Sequence, residues 1–134
     1  MKILVTGCAG FIGHSVVKSL ISKKNLIIGV DNLNNYYSKK LKLDRLKDIS
    51  RLQLKEKYFK FYRLDLENLK KIEKIFLNYK FDTVIHLAAQ AGVRYSIKNP
   101  KDYIENNIDA FLNILEFSKN KKIKHLLYAS SSSV

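Results

Sequence analysis

A chain of 134 residues is the size of one domain, and with 46% hydrophobic and 11% aromatic residues it has the material for a buried core. One proline, five glycines and a single cysteine, Cys8, exclude collagen-like and linker classes, a disulfide framework and a cysteine-based zinc site. The net charge of +13 and pI near 9.8 suit a nucleic-acid binder. However, only four of the 25 basic residues are arginine (Arg45, Arg51, Arg63 and Arg94), the lysines are scattered, and no aromatic–basic interleaving makes a stacking platform. The charge reads as a lysine-rich solvated surface, and no nucleic-acid partner is expected. No apolar run reaches the length of a membrane span, Met1–Val5 lacks the features of a signal peptide, and no His/Asp/Glu spacing suggests a metal. A cytoplasmic protein without a membrane partner is expected.

Strand-like and helix-like segments alternate along the chain. Lys2–Thr6 is a short apolar run that ends in glycines. From Phe11 the period changes: Ile12, Val16, Val17, Leu20 and Ile21 recur at helical spacing, and Asn25 is a plausible stop. Leu26–Val30 is a second strand, closed by Asp31. Residues 32–40 read as a loop, and Leu41–Leu54 as a basic amphipathic helix. Tyr58–Leu64 is a third strand, with Asp65 at its end. Asn68–Tyr79 is helical, with Leu69, Ile72, Ile75 and Phe76 on one face, and Phe81–Leu87 is a fourth strand. A helix begins at Pro100, tolerated in a first turn, and is carried by Ile104, Ile108, Phe111, Leu112 and Leu115. Ile123–Ala129 is a fifth strand. This β-α alternation, with Val/Ile/Leu-rich strands, predicts an α/β fold: a doubly wound parallel sheet in the order 3-2-1-4-5, with its ligand crevice between strands 1 and 4.

Residues 7–13, Gly-Cys-Ala-Gly-Phe-Ile-Gly, place three of the five glycines between strand 1 and helix 1. Glycine there permits a sharp turn, close approach of backbone to a pyrophosphate, and tight helix–sheet packing. The following helix offers free N–H groups and a positive dipole end to phosphates. Asp31 ends strand 2, 21 positions after Gly10, where an acidic residue bonds the adenosine ribose of a dinucleotide. A carboxylate there repels a 2′-phosphate, and the next residue is Asn32 rather than an arginine, so NAD is expected over NADP. Asp65 is placed either to meet the adenine amino group or to act as a helix N-cap or a partner for Arg63.

With these residues in view, the chain resembles the extended short-chain dehydrogenase/reductases, specifically the NAD-dependent nucleotide-sugar epimerase/dehydratase family. The stretches that carry the resemblance are Met1–Gly13, Asp31-Asn-Leu-Asn34, His86-Leu-Ala-Ala-Gln-Ala-Gly-Val-Arg94, Glu105-Asn-Asn107 and Tyr128-Ala-Ser-Ser-Ser-Ser-Val134. Within the family, Asp-Asn-Leu-Asn-x-Tyr-Tyr and Leu-Ala-Ala-Gln-Ala-Gly-Val-Arg-Tyr-Ser look most like UDP-glucuronate 4-epimerases. The resemblance implies a Rossmann-type fold and residue roles. Gly7, Gly10, Phe11, Ile12 and Gly13 would hold the pyrophosphate. Asp31 and Asn32, with Asn35 nearby, would hold the adenosine ribose, and Asp65 and Leu66 would flank the adenine. Leu87, Ala88 and Ala89 would line the path to the nicotinamide ribose, and Asn106 would support the cofactor side of strand 4. Arg94 would lie near the sugar nucleotide, where a uronate favours a guanidinium; its alternative is a surface cation on a mobile loop. Ser131 matches the catalytic Ser/Thr, with Ser130 and Ser132 as alternatives, and would hydrogen-bond the reacting hydroxyl. His86 reads as structural, His14 and His125 as solvated, and Cys8 as a loop filler.

The implied reaction is 4-epimerisation of a UDP-sugar. NAD takes hydride from C4, a 4-keto intermediate turns over, and hydride returns to the other face. Dehydration or decarboxylation on the same fold, or a non-catalytic dinucleotide-binding module, are the alternatives. The family's base is a tyrosine in Tyr-x-x-x-Lys downstream of the serine. The one such pattern here, Tyr36-Tyr-Ser-Lys-Lys40, follows strand 2 on the adenosine side and is not catalytic. The chain is therefore expected to be the N-terminal part of a longer enzyme, inactive alone, with the family's homodimer in doubt for the fragment because the base helix and the helix from Pro100 share that interface.

Overall fold

The computed structural model describes residues 1–21, 23, 25–52 and 58–131. Its elements run β1 (Lys2–Thr6), α1 (Phe11–Ile21), β2 (Leu26–Asp31), α2 (Lys39–Arg51), β3 (Phe59–Arg63), α3 (Leu69–Asn78), β4 (Thr83–His86), α4 (Val93–Lys98), α5 (Pro100–Ile104), a π-helical turn (Glu105–Asp109), α6 (Ala110–Asn120) and β5 (His125–Tyr128). All strand pairs are parallel, in the order β3-β2-β1-β4-β5, as expected of a Rossmann-type fold. Val5 lies between Gly29 of β2 and Ile85 of β4, so β1 is the central strand.

Strand alternation divides the core between the two faces of the sheet. Ile3, Val5 and Ile27 point to one face, where they meet Val17 and Ile21 of α1 and Ile49 of α2. Leu4, Ile28, Val30 and Val84 point to the other, against Ile72, Ile75 and Phe76 of α3 and Ala110 and Ile114 of α6. Both faces of β1 are thus covered, and this explains why the run carries no polar alternation. Ser38 caps α2 by accepting from the Leu41 N–H, and Asn68 caps α3 by accepting from Lys71.

Two features go beyond the sequence reading. A short helix, α4, occupies residues read as loop. The helix from Pro100 does not bury the apolar set Ile104, Ile108, Leu112 and Leu115; these are 38–55% exposed, while Ala110, Ile114 and Ser118 face the core. The π turn, with its wider i→i+5 spacing, joins α5 to α6 within this helical stretch.

Candidate dinucleotide-binding site

The loop from Thr6 to Phe11 is shaped by glycine. Gly7 has φ +67°, and a Cβ there would stand 2.8 Å from the Ala88 nitrogen. A Cβ at Gly13 would collide with the Gly7 carbonyl. The loop therefore lies directly against the exit of β4, and α1 packs directly on the loop. The Gly10 N–H closes the turn on the Gly7 carbonyl at 2.9 Å, and the His14 N–H reaches the Gly10 carbonyl at 3.0 Å as the helix begins. The first N–H groups of α1 have no partner within the helix, and they stand at the positive end of its dipole.

Gly7, Gly10, Phe11, Ile12 and Gly13 line a crevice of about 280 Å³ at the carboxyl ends of the strands, where strand order reverses between β1 and β4. Phe11 and Ile12 are among the residues expected to hold the pyrophosphate. Their side chains are exposed, at 77% and 59%, so Ile12 is not part of the α1 core stripe, which is carried by Gly13, Val17 and Ile21.

Asp31 closes one side. Its carboxylate accepts from the Ala9 N–H at 3.2 Å and the Leu33 N–H at 2.8 Å, tying the glycine loop to the tip of β2. Lys42 of α2 is buried beside it, with Nζ 3.4 Å from Asp31 Oδ1 and 2.8 Å from Asn34 Oδ1. Arg45 donates to the Ala9 carbonyl at 3.3 Å and to the Tyr37 hydroxyl at 3.1 Å. The residue next to Asp31 in sequence is Asn32 rather than an arginine, yet α2 brings two cations, Lys42 and Arg45, to this edge. The Cys8 thiol is pushed well above its usual pKa by burial and then by the Asp31 charge, which leaves it an inert filler beneath the loop.

Asn32 and Leu66 line the crevice, as do Leu87, Ala88, Ala89 and Asn106. Asn35 does not: the loop turns its neighbour Asn34 inward instead, and Asn35 is exposed. Asp65 is exposed and outside the lining. It accepts from Asn32 Nδ2 at 2.7 Å, so its partner is Asn32 rather than Arg63, and Asn68 rather than Asp65 caps α3. Arg63 instead donates to the Asn32 carbonyl at 3.3 Å.

The π turn gives the other side its asparagines. Asn106 faces the crevice and donates to the Asp102 carbonyl at 2.8 Å. Asn107 brackets Gln90, accepting from its N–H at 2.7 Å and donating to its carbonyl at 3.0 Å. Asn113 of α6 donates to the Leu66 carbonyl at 2.9 Å. Sequence reading missed Asn107, Gln90 and Lys42, and also Tyr36, which lines the crevice and meets Tyr95 of α4 edge-on at 5.2 Å between ring centroids. His14, read as solvated, instead bonds Asp48 at 2.8 Å, whereas His86, read as structural, is buried. His125 is exposed, as expected.

Arg94 sits on α4, exposed and outside the crevice lining. Ser130 and Ser131 lie just beyond β5, after Ala129, and are exposed; Ser132 lies outside the described residues. Among the described residues there is no cluster of His, Cys, Asp or Glu that could hold a metal ion. No helix among them is long and apolar enough to cross a membrane.

Residues 3–134 match the model of the NAD dependent epimerase/dehydratase family. The chain belongs to that family. It is 52% identical over 134 residues to "Protein CapI" of Staphylococcus aureus, covering all of this chain and 39% of that one. It is 45% identical over 131 residues to a UDP-glucuronate 4-epimerase of Thermodesulfobacterium geofontis, covering 98% and 39%. Among solved structures, a UDP-glucuronic acid 4-epimerase variant from Bacillus cereus, in complex with NAD and a UDP-4-deoxy-4-fluoro-glucuronic acid, superimposes with a TM-score of 0.83 at 35% identity, covering all of this chain and 41% of that one. The Thermus thermophilus UDP-glucose 4-epimerase complex with NAD gives 0.79 at 30% identity, covering 98% and 38%. The chain spans about two-fifths of the length of these relatives. The family is NAD-dependent, and the glycine cradle, the α1 terminus and the Asp31 carboxylate suit that cofactor.

Proposed function

We propose that residues 1–134 are the N-terminal, NAD-binding part of a nucleotide-sugar 4-epimerase that acts on UDP-glucuronate. The observation that carries the cofactor part is the junction of Ala9 with Asp31: one hydrogen bond joins the loop for the pyrophosphate to the carboxylate for the ribose hydroxyls. The substrate is supported by relatives named UDP-glucuronate 4-epimerase that match nearly the whole chain.

In this reading Gly7, Gly10 and Gly13 let the backbone approach the pyrophosphate, and the N–H groups at the start of α1 neutralise it. Asp31, with Asn32, holds the adenosine ribose; Leu66 lies against the adenine. Leu87, Ala88 and Ala89 wall the path towards the nicotinamide. Bound NAD supplies a two-electron acceptor and donor for C4 of the sugar. Ser131, set at the carboxyl end of β5, holds the reacting hydroxyl, and the exposed Arg94 guanidinium offers a charge-assisted bond to a uronate.

The family's tyrosine base belongs to a Tyr-x-x-x-Lys downstream of the serine, and the crevice-lining Tyr36 instead packs edge-on against Tyr95 of α4. The 134 residues alone therefore bind cofactor without turning over sugar nucleotide. The exposed stripe Ile104, Ile108, Leu112 and Leu115 suits the homodimer contact of a longer protein. The test is calorimetric titration with NAD and NADP, alongside an epimerisation assay with UDP-glucuronate. Saturable NAD binding with no turnover is expected. Turnover by the 134-residue chain, or indifference between the two cofactors, contradicts the reading.

A further inference from the structure

We propose that His86 is a positioning residue: through the Thr6 hydroxyl it fixes the Leu87–Ala88 backbone at the wall of the cofactor crevice. This rests on the reading of that crevice as the NAD site.

A hydroxyl has one proton to donate and two lone pairs to accept. The backbone N–H groups of Leu87 and Ala88 both donate to Thr6 Oγ1, each at 3.2 Å. With both lone pairs engaged, the hydroxyl proton goes to His86 Nδ1, 2.8 Å away. Nδ1 is therefore the unprotonated nitrogen, and the ring carries its proton on Nε2. The ring is held in place by stacking on Phe111, with centroids 5.4 Å apart and planes at 17°. Burial keeps the imidazole neutral to about pH 4, so the Nδ1 lone pair stays available at neutral pH.

What Thr6 holds is the wall itself. Leu87 and Ala88 both line the crevice, on the β4 side, across from Asp31. The Leu87 N–H is shared with the Thr6 carbonyl at 3.3 Å, a weak second bond. There is little slack, because a Cβ at Gly7 would stand 2.9 Å from the Leu87 carbonyl. If the acceptor on His86 is lost, the Thr6 hydroxyl is free to turn its proton towards the amides it should accept from, and the wall loses its register. A dinucleotide that reaches past β4 feels this change. A ligand confined to the Asp31 side does not.

Four single variants and one double variant separate the possibilities. Thr6→Val keeps the shape and removes the hydroxyl, and His86→Phe keeps the stacked ring and removes the acceptor. Thr6→Ser restores the hydroxyl, and His86→Asn places an amide oxygen near the Nδ1 position. NAD and ADP are titrated into each, and hydrogen exchange is followed at the Leu87 and Ala88 amides. Thr6→Val and His86→Phe are each expected to weaken NAD about tenfold while leaving ADP within about twofold, and the double variant to lose no more than either single one. Thr6→Ser and His86→Asn should return NAD to within about threefold of the parent. The nitrogen NMR spectrum of the parent protein should show Nδ1 as the bare nitrogen, a readout that needs no variant to fold. Equal losses for ADP and NAD, additive losses in the double variant, or a protonated Nδ1 overturn the proposal. A parent protein that binds neither ligand overturns the reading of the crevice, and the exchange and nitrogen data then still decide the Thr6–His86 link.

Discussion

The Lys42 ammonium and the Asp31 carboxylate form an ion pair at 3.4 Å, with side chains only 7% and 5% exposed. In the proposed reading, the pair sits at the edge of the crevice where the two nicotinamide cofactors differ, in the group at the 2′ position of the adenosine ribose. Asp31→Ala removes the repulsion of a 2′-phosphate and leaves a buried lysine without its counter-charge. NADP affinity should rise and NAD affinity fall, reducing the preference for NAD by about tenfold, the effect of one charge-assisted hydrogen bond. Asp31→Ala with Lys42→Met should lose the NADP gain but not recover NAD. Paired titrations of the three proteins measure both.

The glycine loop makes a sharper prediction about stability. At Gly13 a methyl group has nowhere to go but into the Gly7 carbonyl, and at Gly7 it meets Ala88 while forcing a residue with φ +67°. Gly13→Ala and Gly7→Ala should each cost about 2 kcal/mol or more in urea denaturation and abolish measurable NAD binding. Gly10→Ala meets the Gly7 carbonyl less tightly, at 3.0 Å, and should be the mildest of the three.

His86 gives the protein a pH dependence of known sign. Its pKa is lowered from 6.5 to about 4 by burial, so the folded protein prefers the neutral ring and the unfolded chain takes up the proton first. Stability from this group is fully present above about pH 6.5 and is lost as pH falls towards 4, by about 3 kcal/mol in all. Chemical denaturation between pH 7 and 4 should show this slope, and His86→Phe should flatten it. A second window lies lower. Asp48, hydrogen-bonded first by Lys18 and then by His14, has its carboxyl pKa lowered, so its contribution is present above the usual carboxylate value and lost only as pH falls below it. Asp48→Asn should therefore differ from the parent above about pH 4 and converge with it in stronger acid.

Asn107 holds the segment after β4 through the backbone N–H and carbonyl of Gln90. Asn107→Ala should cost about 1–3 kcal/mol, since it strands a backbone N–H and a carbonyl together. It should also raise proteolytic cutting near residues 89–92 well above that of the parent, which limited proteolysis reads directly.

Much of the fold is legible in the sequence. Apolar runs of four to six residues, each followed by a helical period, are enough to place five parallel strands and their order, because crossover handedness leaves few alternatives. The glycines at 7, 10 and 13 and the acid at 31 declare their chemistry by spacing alone. What stayed hidden were relations that cross the chain. Lys42 meets Asp31 only because α2 folds back over the tip of β2. Asn34 rather than Asn35 enters the crevice because the loop pivots at Leu33, a non-glycine residue with φ 56°. The helical spacing of Ile104, Ile108, Leu112 and Leu115 shows a helix but not which face is covered, and the π turn leaves no trace in hydrophobic periodicity. Arg94 lies on a six-residue helix too short for periodicity to reveal.

The account stands or falls on whether this crevice takes NAD through its Asp31 edge. The most direct measurement is a calorimetric titration of the 134-residue protein with NAD, repeated with NADP. One-to-one saturation with NAD, and markedly weaker binding of NADP, is the predicted result. No saturable heat with NAD, or equal affinity for both, contradicts it.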